Sequence, residues 1–380
     1  MKILFVRANQ GIPDSRVEKE IYSLSKEHEV ELLGWDRTRN NNGLIKKVVN
    51  ISGKEIQFYH IAIEAPQGEG FKKILVPMIR FWIEVRKFII QNSNRYDVIH
   101  FCDFDTAALA SCKTKRLGIK VVYDIFDYYS DSHNAPRIIK NVIRGMENYI
   151  IEHSDAVILC SEARVEQIRP AVPRKLVIIH NSPSEEILKE EIEMGGNKNN
   201  KRLVYVGMLS EERYLREIAK VVAGRQDIEW HIGGFGVLES YFFELSQKYT
   251  NVYFYGKLKY SQTLYLESEC DIMTAIYDPS IPNHKYAAPN KFYEALLLEK
   301  ELIVARDTGI DDVVENEEVG IVINAYSKEE FIKSFDKALE ELLERKDKDT
   351  LQETKQSRLY NTYYSWNVME ERLLKLYTEI

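Results

Sequence analysis

Residues 289–296 read Pro289-Asn290-Lys291-Phe292-Tyr293-Glu294-Ala295-Leu296, with Leu302-Ile303-Val304-Ala305 and Thr308-Gly309 shortly after. The stretch predicts a helix, a short buried strand and a turn at the strand's carboxyl end. Phe292, Ala295, Leu296 and Leu298 recur near helical spacing. Asn290 is a start signal, because its side chain can accept a first-turn N–H, and Pro289 ends the extended chain before it. Helix starts gather unpaired N–H groups and a partial positive charge, so this one can hold a phosphate. Lys291 adds a cation, and Glu294, one turn further in, is placed to accept hydrogen bonds from a diol such as a ribose. A capped amphipathic helix with a solvated lysine and glutamate accounts for the same letters. On local pattern alone that is the simpler reading, so the surrounding chain has to decide.

On both sides the chain alternates strands and helices. In the second half, apolar strands over 202–207, 228–232, 252–256, 271–277 and 319–323 are separated by helical stretches, and Gly233-Gly234-Phe235-Gly236 follows one of them. In the first half, strands are expected at 3–6, 28–34, 56–61, 97–101, 120–124, 156–161 and 176–181. Helices are expected at 16–26, 71–90, 109–117, 138–154 and 162–168, with Asp14 or Ser15 capping the first, and Asn40-Asn41-Asn42-Gly43 is a polar turn. Continuous apolar strands of this kind are buried on both faces of a parallel sheet. Residues 183–201, rich in Glu, Gly and Asn, mark a linker. The predicted fold is α/β, with two doubly wound Rossmann-like domains facing a cleft.

Composition narrows the function. The 380 residues are 44% hydrophobic and 29% charged, with a net charge of −7. A general nucleic-acid binder is therefore not expected. The four cysteines form no C-x-x-C pair, which fits reduced thiols in a cytoplasmic protein. The first six residues are too short an apolar run for a signal peptide and predict a strand, and no stretch reaches the ~18 apolar residues of a membrane span. The helix at 71–90 mixes Lys72, Lys73, Arg80, Arg86 and Lys87 with Phe71, Ile74, Leu75, Val76, Met78, Ile79, Phe81, Trp82 and Ile83. Such a face either packs on a core or lies on an anionic membrane surface.

Ligands of parallel sheets sit at the carboxyl ends of strands. The loop from Asn9 to Arg16 is therefore a candidate, although the lone Gly11 is no dinucleotide fingerprint. His100, Asp124 and Asp127 also end strands. Asp103-Phe104-Asp105 has the letters of a D-x-D motif, but with no third ligand in view no metal is expected.

Set in order, these pieces resemble the GT-B glycosyltransferases of family 4, the retaining glycosyl transferases group 1. Val206-Gly207-Met208-Leu209-Ser210-Glu211-Glu212-Arg213 is similar to the family's V-G-R-L-S-x-x-K, and Ile232-Gly233-Gly234-Phe235-Gly236 to its I-x-G-x-G turn. The opening stretch resembles P-[SN]-K-x-x-E-A, and Thr308-Gly309-Ile310-Asp311-Asp312-Val313-Val314 resembles G-G-x-x-E-x-V. Pro13-Asp14-Ser15-Arg16-Val17, Tyr123-Asp124-Ile125-Phe126-Asp127 and His180-Asn181-Ser182-Pro183 match first-half segments. Tyr364-Ser365-Trp366-Asn367 and the helix after it resemble the crossover that returns to the first domain. The implied division is 1–182, linker 183–201, 202–361, and a crossover helix at 362–380.

The resemblance implies sugar transfer from a nucleotide-diphosphate donor to a saccharide or lipid-linked acceptor in polysaccharide or glycolipid synthesis, in the cytoplasm or peripherally on the inner membrane face. Arg213 falls where a lysine neutralises the leaving phosphate. Glu294 would hold the ribose, Asn290 and Lys291 the phosphates, and Gly11, Gly207 and Gly234 would let backbone approach the donor. No cofactor and no metal is implied. Two positions depart from the pattern: Tyr286 replaces the acid that contacts the sugar, and Met208 replaces the first phosphate arginine. Arg16 or Lys291 would then compensate. Phe126 stands where the family has a histidine, leaving His100 either as a stand-in catalytic group or as a structural residue, and Asp127 either as an acceptor contact or as a cap. These departures keep a second reading open, a nucleotide-sugar-binding subunit without activity. A GT-B epimerase is a third; no pyridoxal-lysine signature supports a phosphorylase.

Overall fold

The computed structural model describes residues 1–38, 43–66, 71–132, 136–184, 189–197, 199–345 and 353–380. The chain divides into two compact units, Met1–His180 with Met369–Ile380, and Asn181–Val368.

The first unit is built on eight strands: β1 (Lys2–Arg7), β2 (Glu29–Asp36), β3 (Gly43–Ile51), β4 (Lys54–Ala62), β5 (Val98–Cys102), β6 (Lys120–Ile125), β7 (Ala156–Leu159) and β8 (Leu176–Ile178). Their order is β3-β4-β2-β1-β5-β6-β7-β8. All neighbours pair in parallel except β3 and β4. Ile3 to Val6 in β1 are fully buried, as a strand covered on both faces requires. β3 has no counterpart in the expected elements. It is an edge strand, mostly exposed and carrying Lys46 and Lys47, so it lacks the apolar run that marks its neighbours. The turn expected at Asn40–Asn42 lies outside the described residues. The helices expected at 109–117 and 162–168 contract to Ser111–Arg116 and Arg164–Gln167. Strand order reverses at β1, which has β2 on one side and β5 on the other. The loops after β1 and β5 thus flank a switch point.

The helix Phe71–Gln91 packs Met78, Phe81, Val85, Phe88 and Ile89 into the core of this unit. Val76, Ile79, Ile83 and Ile90 stay exposed on its other side. The last helix, Trp366–Glu379, supplies the unit with the buried Met369, Leu373, Leu376 and Tyr377. Among the described residues no helix is long and apolar enough to cross a membrane.

The second unit holds β9 (Lys201–Met208), β10 (Ile228–Phe235), β11 (Val252–Phe254), β12 (Ile272–Ala275), β13 (Glu301–Ala305) and β14 (Ile321–Ile323). The order is β11-β10-β9-β12-β13-β14, parallel throughout. Its switch point lies between β9 and β12. The described part of the expected linker is packed and not extended. Glu190 accepts hydrogen bonds from Lys259, Ser261 and Gln262, and the Asn197 N–H donates to Glu229 at 2.7 Å. Residues 185–188 and 198 of that stretch lie outside the described residues.

Candidate functional site

The carboxyl end of β9 is shaped by two glycines. Gly207 and Gly234 are register partners on β9 and β10, with φ of +154° and +138°. A Cβ on Gly234 would overlap the Gly207 carbonyl oxygen. The strands can therefore close on each other only without side chains at this level. The open face of Gly207 is taken by Lys291, whose Nζ lies 2.7 Å from where a Cβ would stand and 4.8 Å above the Tyr205 ring.

Arg213 ends a short 3₁₀ turn, Glu211–Arg213, that follows β9. Its guanidinium lies 3.7 Å above the ring of Tyr277, just past β12. Its Nη1 stands 3.4 Å from Nε2 of His284, and His284 Nδ1 stands 2.9 Å from the Asp278 carbonyl oxygen. Burial lowers the His284 pKa and Arg213 reinforces this, while the Asp278 carbonyl opposes it. A neutral ring that donates from Nδ1 and accepts the arginine N–H satisfies both contacts. Burial pulls the Lys291 ammonium down, but Tyr205, Tyr277, Glu294 and Glu267 together raise it above an ordinary lysine. Two cations, held by two tyrosines, thus meet at the switch point.

The helix Asn290–Leu297 begins beside them. Its cap position is Pro289, and no side chain among the described residues caps it; Asn290 is instead its first helical residue and is exposed. This corrects the expected cap and leaves the helix start without a side-chain acceptor of its own. Glu294 is buried, 3% exposed, and hydrogen-bonded to Tyr260. Tyr286 is half-buried at the end of the turn Pro282–Tyr286. The Thr308-Gly309 turn presses on this segment, since a Cβ on Gly309 would come within 2.7 Å of the Ala287 carbonyl oxygen. Met208 is 57% exposed and offers no charge where the resemblance expected an arginine. The structure therefore brings Gly207, Arg213, Gly234 and Lys291 together, with Asn290 and Glu294 on the adjoining helix. Tyr205, Tyr277 and His284 were not singled out. The V-Y-V-G ending of β9 was the one local signal for Tyr205.

The first-unit candidates divide differently. Gly11 has φ +73°, and its missing side chain makes room for Phe58, 2.6 Å from a hypothetical Cβ. Packing alone accounts for that glycine. Asp14 caps the helix Ser15–Leu24. Arg16 is not a surface cation: it is buried, donates to Asp124 at 2.8 and 3.2 Å and to the Ile179 carbonyl at 2.7 Å, and lies 3.1 Å from Glu20. His100 is fully buried, stacked on Phe5 at 4.1 Å, with Nδ1 2.7 Å from the Tyr377 hydroxyl and Nε2 3.5 Å from Asp124. These positions bear on two of the alternatives left open by the sequence. Arg16 is held by buried partners, and the full burial of His100 with its bond to Tyr377 fits the structural alternative for that residue. Burial lowers the His100 pKa, and the Asp124 bond opposes this. Glu20, His100 and Asp124 bring potential metal-ligand atoms within 4.8 Å of one another, but the Arg16 guanidinium already lies against both carboxylates. Asp127 is the exposed member, its carboxylate 57% accessible and 2.9 Å from the buried Arg164. Nearby, Asp103 of the D-x-D letters pairs with Arg7 and accepts the Phe126 N–H.

Two doubly wound sheets in this order, parallel but for the β3–β4 edge, with glycines and cations at the strand ends of the second, are the GT-B architecture. Residues 23–182 match the family described as Glycosyltransferase Family 4, and residues 184–357 match Glycosyl transferases group 1. The chain belongs to this glycosyltransferase family. It is 24% identical over 244 residues to the uncharacterized glycosyltransferase YqgM of Bacillus subtilis (strain 168), a match spanning 62% of this chain and 66%, just under two thirds, of that relative. Among solved structures it is similar to a sucrose-phosphate synthase (tll1590) from Thermosynechococcus elongatus, with TM-score 0.73, 14% identity, and coverage of 100% of this chain and 98% of that one. It is also similar to Anabaena Alr3699/HepE in complex with UDP, with TM-score 0.67, 14% identity and full coverage of both chains.

Proposed function

We propose that the chain moves a sugar, with retention at the anomeric carbon, from a nucleotide-diphosphate sugar to a saccharide or lipid-linked acceptor in polysaccharide or glycolipid synthesis. The observation that carries this reading is the Arg213–Lys291 pair at the switch point of the second sheet. Breaking the bond to the diphosphate leaves negative charge on the leaving oxygen, and preorganised cations lower the barrier by meeting it there. The planar Arg213 fork suits two phosphate oxygens at once. Lys291 takes the part left vacant by Met208. The uncapped start of the helix Asn290–Leu297 adds N–H donors, and Glu294 accepts from the ribose. Gly207 and Gly234 keep side chains out of the space the donor occupies. No metal and no cofactor is assigned a role. The UDP named with the Anabaena structure fits a site of this chemistry.

On the acceptor side, Asp127 is the exposed carboxylate that would contact sugar hydroxyls. The exposed Val76, Ile79, Ile83 and Ile90, with Lys73, Arg80, Arg86 and Lys87 also exposed, would rest the helix Phe71–Gln91 on an anionic membrane surface at the cytoplasmic face. Calorimetric titration with UDP, GDP, ADP and dTDP tests the donor reading. Arg213→Ala should weaken the bound nucleotide about tenfold to a hundredfold. Unchanged affinity in that variant would remove the site from the second unit's switch point. Met208 and Tyr286 favour one alternative, a subunit that binds the donor without turning it over. Tight nucleotide binding with no hydrolysis or transfer from any of the matching nucleotide sugars would select it.

A further inference from the structure

Behind the helix Asn290–Leu297 lies a glutamate that the functional reading does not use. Glu267 sits on the helix Tyr260–Ser268 and is 1% exposed. Among the described residues neither of its carboxyl oxygens has a hydrogen-bond partner. Its charged neighbours come from the helix Asn290–Leu297: Glu294, itself 3% exposed, and Lys291. Tyr260 of its own helix bonds Glu294 and feels the Glu267 charge, Tyr205 of β9 faces Lys291, Cys270 also lies within reach of Glu267, and Tyr360 stands by Tyr260. A buried carboxylate with no donor is costly, and most such groups are paired or neutral. Here two carboxyls share one ammonium. Ionising both would set two carboxylates against the one ammonium that faces Gly207.

We propose that Glu267 is a positioning residue of the nucleotide site, a buried carboxyl that carries a proton when the site fills and so keeps the Lys291 charge directed at the ligand's phosphates. The inference rests on the donor reading given above. Burial, then the Glu294 carboxylate, pushes the Glu267 carboxyl well up, and Lys291 opposes this. Filling the site places a further anion near Lys291. That raises Glu267's proton affinity again, so binding takes up a proton wherever Glu267 is ionised in the empty protein. No bond to carbon or phosphorus changes; one proton moves from solvent to the Glu267 carboxyl.

The test uses the full chain, UDP and GDP as probes, and calorimetry from about pH 6 to about pH 9. Once Glu267 titrates, wild-type affinity should fall by up to about tenfold per pH unit. Titrations in two buffers of different ionisation enthalpy should register proton uptake. Above about pH 8 the nucleotide's own phosphates are fully ionised and do not contribute to it. Glu267→Gln keeps the shape without the titration, so above about pH 8 its affinity should stay level and its proton uptake should vanish. Parallel pH slopes for wild type and Glu267→Gln overturn the inference while leaving the donor reading intact. So does absent proton uptake in wild type, a measurement that needs no variant to fold. Failure of wild type to bind any nucleoside diphosphate overturns both.

Discussion

A methyl group on Gly234 would occupy the same space as the carbonyl oxygen of Gly207, in a backbone conformation that side chains rarely adopt. Gly118 also has a positive φ, +79°, but no atom of the described residues stands within 4 Å of its missing Cβ. Two alanine substitutions separate the effects. Gly118→Ala should cost about 1 kcal/mol, the strain of the backbone alone. Gly234→Ala should cost more than about 2 kcal/mol and disturb nucleotide binding, since Gly207 must move. Denaturant midpoints for both variants check this, and equal losses would mean that β10 yields easily. The Asp105 carboxyl is pushed up to about 7 by burial, then by Asp103, against Arg7 and Arg37. Its folded form therefore binds a proton more tightly than the unfolded chain does. The stability it lends is full below about pH 4 and is lost as pH rises through about 7. Asp105→Asn should keep a flatter stability profile than wild type from about pH 5 to about pH 8. Superimposable thermal midpoints across that range would refute the assignment.

At the scale of elements, the chain disclosed what repeats and concealed what depends on partners. Buried parallel strands were legible because both faces demand apolar residues, as Ile3 to Val6 show. β3 was not, because an exposed edge strand is under no such demand, and Ser52-Gly53 alone had to announce its hairpin. The helix Asn290–Leu297 was legible as a helix, but its start was misplaced by one residue, since Pro289 takes the cap position without a side-chain bond. Among candidate site residues, the glycine turns and Arg213 were visible as local motifs. The burial of Arg16 and His100 was not, because it arises from Asp124, Ile179 and Tyr377, over a hundred positions away in Arg16's case and 277 in His100's. The helix Phe71–Gln91 kept both of its alternatives: one face is core, the other exposed. Replacing Val76, Ile79 and Ile83 together by Ser removes apolar surface only from the exposed face. Flotation with anionic vesicles should drop severalfold while the thermal midpoint holds, because such surface substitutions stay within about 0.5 kcal/mol. Equal flotation of both proteins, or none for wild type, would end the membrane proposal.

For the molecule as a whole, the last dozen residues are out of step with chain order. Met369–Ile380 belongs to the first unit although it follows the second. Local pattern could not disclose this, as a terminal amphipathic helix reads the same wherever it docks; only the family resemblance pointed to a return. The energetic stake is definite. Met369, Leu373, Leu376 and Tyr377 are each at most 1% exposed, and burying such side chains contributes about 2 kcal/mol apiece. The Tyr377 hydroxyl is also the partner of His100 Nδ1, in the network that holds Arg16, Glu20 and Asp124. Tyr377→Phe should therefore cost about 1–3 kcal/mol by leaving a buried ring nitrogen unpaired. A chain ending at Val368 should lose far more, and only in the first unit. Its amides there should exchange rapidly with solvent deuterium, while those of 201–345 keep their protection and the nucleotide affinity survives. Uniform loss of protection in both units would show that they fold as one cooperative body. Unchanged protection in the first would show that its core closes without the returning helix.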